Sequence, residues 1–158
     1  MNQNRKSNLE EEQIAQIEKS LRKVSYIVKQ KGREILNDFP ITPPQFVALQ
    51  WLNEYGDMTI GELSNKMFLA FSTMTDLVDR MEKNALVKRV RDDSDRRVVQ
   101  IHLLANGKEI IEEVIQQRRD YLAVILKGFS QENVDLLEKD LNLLYEEVNR
   151  DLKTWKSI

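Results

Sequence analysis

Three observations predict a mainly α fold carrying one small β-hairpin. Apolar residues recur at three- and four-residue spacing along most of the 158 residues. The spacing gives way to β-prone alternation between Leu86 and Leu103, around a polar tip. Only five Gly and three Pro interrupt the chain, so long unbroken helices are expected.

The first helix is expected over 8–38, where Ile14, Ile17, Leu21, Val24 and Val28 form one stripe. Ser7 and Asn8 are candidate caps, Glu10, Glu11 and Glu12 suit the positive end of the dipole, and Pro40 ends the helix. Thr42 before Pro43 and Pro44 marks a new start, because a first turn leaves the missing proline N–H unneeded. That helix carries Phe46, Val47, Leu49, Trp51 and Leu52 and stops at Gly56. Thr59 opens the next, with Ile60, Leu63 and Met67 on one face and Glu62 completing the capping-box spacing. A further helix is expected to begin with Ser72 as cap and to run to about Asn84, burying Met74, Leu77, Val78 and Met81. Two such helices joined by a short turn form a helix-turn-helix.

Leu86, Lys88 and Val90 then alternate with Val87, Arg89 and Arg91, and Val98, Val99, Ile101 and Leu103 form a second β-prone run. The segment between them, Asp92-Asp93-Ser94-Asp95-Arg96-Arg97, is a charged tip. A hairpin directly after a helix-turn-helix is the winged variant. Helical spacing returns over 105–128 with Ile111, Val114, Leu122 and Ile125. Ser130 caps a last helix, in which Val134, Leu137, Leu141, Leu144, Val148, Leu152 and Trp155 share a face. The expected organisation is therefore a winged helix-turn-helix domain over 41–104, flanked by helices over 1–40 and 105–158.

Composition narrows the chemistry. With no cysteine the chain has no disulfide, no thiolate zinc site and no thiol nucleophile, and the single His102 rules out a multi-histidine metal centre. No nucleophile–base pair or phosphate loop stands out, so no enzyme, cofactor or metal is expected. No apolar run approaches the roughly 20 residues that span a bilayer. Residues 1–7 are polar, unlike a signal peptide, so a cytoplasmic protein with no membrane partner is expected.

A net charge of −2 does not in itself suggest nucleic acid, but charge is distributed unevenly. From Arg80 to Arg97 there are seven Lys or Arg against four Asp or Glu. A DNA major groove admits one α-helix, whose N-terminal side chains reach base edges. Ser72, Thr73, Thr75 and Asp76 lie where such contacts would be made, and Arg96 and Arg97 could enter a minor groove, whose negative potential attracts arginine. Asp95 could hold one of those arginines extended. Taken singly, the helix face also reads as ordinary solvated surface, and the tip as an exposed turn.

The order helix, turn, helix, strand, basic tip, strand resembles the MarR family of regulators. The resemblance is carried by Ile60-Gly61-Glu62-Leu63-Ser64, by 72–82 (Ser-Thr-Met-Thr-Asp-Leu-Val-Asp-Arg-Met-Glu), by Leu86-Val87-Lys88-Arg89 and by Asp95-Arg96-Arg97. It implies that Ser72, Thr73, Thr75 and Asp76 read the major groove, that Asp95 and Arg97 form the wing pair with Arg96 beside them, and that Arg80 supports the helix or touches phosphate. It further implies a homodimer that represses from a pseudo-palindromic double-stranded DNA operator and is released by a small aromatic or anionic effector. Tyr26, Phe39, Phe46, Trp51 and Phe68 are candidates to line the effector cleft, or simply to fill the core. The absence of cysteine argues against thiol-based oxidant sensing. Ala85 stands where the family usually has glycine, so Asn84 is expected to take the left-handed cap. Leu104 stands in place of a usual threonine, leaving Asn106 as a weaker cap. The competing function is a helical interaction module whose winged domain binds a protein.

Overall fold

The computed structural model describes residues 2–155, with side chains over 10–152. The elements run α1 (Asn2–Leu36), α2 (Pro43–Tyr55), β1 (Met58–Thr59), α3 (Ile60–Met67), α4 (Phe71–Lys83), β2 (Val87–Arg91), β3 (Val99–Leu103), α5 (Ala105–Leu126) and α6 (Gln131–Trp155). The mainly α architecture with a small wing is thus the observed one. After Arg118 the chain divides into two compact units.

The first unit is built on local signals. Thr42 caps α2: its hydroxyl accepts the Gln45 N–H at 3.4 Å while the Gln45 side chain accepts the Thr42 N–H at 2.9 Å. Thr59 and Glu62 make the same reciprocal box at α3, at 3.1 and 2.8 Å. Between α3 and α4 the chain turns at Phe68, a left-handed residue with φ 54°, and the Leu69 N–H closes on the Ser64 carbonyl at 3.0 Å. The helix-turn-helix then buries Leu63 from α3 and Met74, Val78 and Met81 from α4 against Phe46 and Leu49 of α2.

The sheet is antiparallel with order β1-β3-β2. Met58 pairs with Ile101, and Arg89 faces the same Ile101 from the other side, so β3 is the central strand. Ile101 is fully buried, as are Val87 and, on α5, Ile111 and Val114. Gly107 is required where α5 leaves the wing: a Cβ there would lie 2.5 Å from the Leu86 carbonyl oxygen, which also accepts the Leu104 N–H at 3.0 Å. The second unit holds the end of α5 and α6, which Ser130 caps by accepting the Asn133 N–H at 3.2 Å.

Several local expectations are corrected. Ser7 and Asn8 lie inside α1, which starts at Asn2, and their side chains fall outside the described residues. α1 ends at Leu36, before Pro40, in a turn closed by the Asn37, Asp38 and Phe39 amides. Ser72 is not the cap of α4. Ala70 is, without any side-chain hydrogen bond, because the Phe68 turn delivers the chain to helical geometry two residues earlier. The left-handed residue after α4 is Ala85 at φ 55°, while Asn84 stays at φ −90°. Closure of the Leu86 N–H on the Met81 carbonyl at 2.9 Å fixes the place of the turn, so the alanine takes the conformation of the glycine it stands in for. Asn106 lies within α5, its amide reaching back to the Asn84 carbonyl at 3.5 Å. β1 was not foreseen.

Candidate nucleic-acid interface

The face of α4 turned away from the core carries the small polar residues. Ser72, Thr73, Asp76 and Arg80 are exposed, while Thr75 is half-buried and donates its hydroxyl to the Phe71 carbonyl at 3.0 Å. Arg80 lines a shallow groove of about 520 Å³ with Lys83, Asn84, Phe39, Thr42 and Gln45.

On the wing, Arg96 and Arg97 are exposed. Asp95 accepts the backbone N–H of Arg97 at 3.0 Å, so it shapes the turn rather than holding a guanidinium among the described residues. Asp92 organises the tip by accepting the Ser94 hydroxyl at 2.5 Å, the Ser94 N–H at 2.8 Å and the Asp95 N–H at 3.3 Å. The Ser94 hydroxyl bond leads in holding the Asp92 carboxyl below the usual aspartate range, with the two amides adding to it.

One positioning residue escaped the sequence reading. Arg89 of β2 donates to Asp79 at 2.5 Å and to Glu82 at 2.6 Å, tying the wing to the flank of α4. The hydrogen bond to Asp79 leads in raising the Arg89 pKa above its ordinary value. The single positive charge of Arg89 offsets one of the two negative charges on this flank of α4. Asp79 and Glu82 share one helix flank by spacing, which was the available signal. Nothing in the sequence places a strand arginine against them.

Within a single chain the five aromatic candidates lie in different surroundings. Phe46 is core, with the Arg118 guanidinium 4.6 Å from its ring centroid. Trp51 stacks with Tyr55 at 5.2 Å under the Lys66 ammonium. Phe39 lines the Arg80 groove, Tyr26 is exposed on α1 with its hydroxyl bonded to Gln30, and Phe68 is exposed in the α3–α4 turn. Arg118 is a further residue the sequence did not single out. Its Nε is buried with no hydrogen-bond partner among the described residues, and burial lowers its pKa.

Comparison with known proteins bears on this arrangement. Residues 41–99 match the MarR family, a span running from α2 to the start of β3. The Bacillus subtilis HTH-type transcriptional regulator YsmB is 60% identical over 139 residues, covering 88% of this chain and 95% of its own. A solved MarR family protein from Bacillus stearothermophilus is 57% identical with TM-score 0.82, covering 88% of this chain and 97% of that one. The chain belongs to the MarR family. It is therefore a DNA-binding HTH-type transcriptional regulator. Streptococcus pneumoniae FabT, solved in complex with DNA, shares the MarR fold at TM-score 0.71 and 22% identity, covering 87% of this chain and 98% of its own.

Proposed function

We propose that this regulator is a cytoplasmic, homodimeric repressor that binds a pseudo-palindromic operator and is released by a small aromatic or anionic effector. In this reading residues 41–104 bind DNA and the helices over 1–40 and 105–158 dimerise. The observation that carries it is the division of α4 into a core face of Met74, Val78 and Met81 and an outer face of Ser72, Thr73 and Asp76. Exposed Arg96 and Arg97 at the wing tip complete the footprint, and FabT, of the same fold, is seen with DNA bound. Arg80 takes a phosphate, Thr73, Thr75 and Asp76 meet base edges, and Ser72 meets base or phosphate.

Exposed apolar surface supports the dimer. Ile14, Ile17, Leu21 and Val24 on α1 and Leu137, Leu141, Leu144 and Val148 on α6 are left exposed by a single chain. Support for an effector comes from Arg118, whose Nε is buried without a hydrogen-bond partner among the described residues and whose partly desolvated guanidinium over Phe46 gains from an anion.

Selection of bound duplexes from random DNA tests the reading. It should return two half-sites about one helical turn apart, bound with an affinity that falls steeply as salt rises. Absence of any preferred sequence, or an affinity insensitive to salt, would instead favour a winged module that binds protein.

A further inference from the structure

Helix α4 is poor in the side chains that usually read purines. Residues 71–79 include neither Arg, Lys, Asn nor Gln, the residues that pair bidentately with guanine or adenine in the major groove. What remains for base edges is a set of hydroxyls, the Asp76 carboxylate and apolar surface.

That apolar surface leads the helix. Phe71 is the first residue of α4 and is 62% exposed. Phe71, Thr75, Asp79 and Glu82 follow one another at three- and four-residue spacing along one flank. On its far half Arg89 occupies both carboxylates. On its near half the Thr75 hydroxyl proton is committed to the Phe71 carbonyl, which leaves the threonine methyl and oxygen lone pairs for outside contact. The end of the flank nearest the helix N-terminus therefore carries an exposed aromatic ring and, one turn on, a threonine methyl group. In the major groove the apolar partner for such a surface is the 5-methyl group of thymine.

We infer that Phe71 is a sequence-reading residue that contacts a thymine methyl, with the Thr75 methyl one turn on. The inference rests on the reading of α4 as the helix that enters the groove. It assigns specificity to an apolar contact that the hydroxyl and carboxylate candidates do not supply.

The test exchanges thymine for uracil, which removes only the methyl, at each thymine of the best duplex from random selection. For the wild-type protein at least one position in each half-site should lose about fourfold in affinity, the worth of one buried methyl. Phe71→Ala should bind the thymine duplex more weakly and lose the thymine–uracil difference at that position. Phe71→Leu should keep part of it. Because the ring is exposed, the thermal midpoint of Phe71→Ala should match wild type, which separates reading from folding. Wild-type binding indifferent to every uracil exchange, or an unchanged thymine–uracil ratio in Phe71→Ala, would overturn the inference while leaving operator binding intact. Failure of the wild-type protein to select any sequence would remove the groove reading beneath it.

Discussion

Helices α4 and α6 are built on the same apolar spacing and end in opposite surroundings. In α4, Met74, Val78 and Met81 are wholly buried. In α6, Leu137, Leu141, Leu144 and Val148 recur at the same intervals, yet Leu141 and Val148 each keep 51% exposure. The periodicity of a helix says that a face must be covered, but not by what. For α4 the cover is supplied by α3 and β2, its immediate neighbours in sequence, together with α2. For α6 the proposed cover is a second copy of the chain, and on that proposal the same pattern serves the core in one helix and assembly in the other.

Substitutions on the two faces should separate these roles. Met74→Ala removes a fully buried side chain and should cost about 2–5 kcal/mol of stability by urea unfolding. If it left stability unchanged, α4 would be no more a core helix than α6. Leu141→Lys should leave the winged domain folded by circular dichroism, dissociate the dimer in sedimentation equilibrium and weaken operator binding by about 100-fold, the lower range for losing a linked second site. A variant that stays dimeric would place the cover of α6 elsewhere. Arg97→Ala touches neither face and should cost about 1–3 kcal/mol of operator affinity with no change in melting temperature.

The smallest effect is expected at the wing tip. The folded-state pKa of Asp92 is lowered, so its contribution is present above the unfolded-state pKa and is lost as pH falls through the folded value. Amide signals of Ser94 and Asp95 should shift together in an NMR titration with a midpoint below the usual aspartate range, while the signals of Met74 and Val78 stay fixed. A midpoint at the ordinary aspartate value would show that the tip is not organised by that carboxylate.

The readable parts of the chain were those fixed by contacts three or four residues away. Thr42 and Thr59 announce their helices because the groups that satisfy each cap lie within one turn. The hairpin announces itself by a change of period around Asp92–Arg97. By contrast β1 is only two residues long and exists through its pairing with Ile101 and Gln100 some forty positions on, which no local pattern records. Ser72 looked like a cap because hydroxyl residues favour that role, but the turn at Phe68 had already started the helix. At the site, exposed Ser72, Thr73 and the wing arginines were legible from their polarity. The Arg89 clamp and the Arg118–Phe46 contact were not, since each joins segments that only the fold brings together. The surroundings of the aromatic set were not legible either, because hydrophobic character alone does not distinguish a core ring such as Phe46 from a surface ring such as Tyr26.

The joint at Gly107 has a mechanical consequence. The Leu86 carbonyl accepts the Leu104 N–H and lies 2.5 Å from where a Cβ on Gly107 would stand, with the Leu103 side chain 2.8 Å from the same point. An interface with no spare volume behaves as a weld rather than a hinge. Any tilt imposed on the start of α5 is carried straight into the base of the hairpin, and the compliance that the proposed release by an effector requires must be found elsewhere along the molecule.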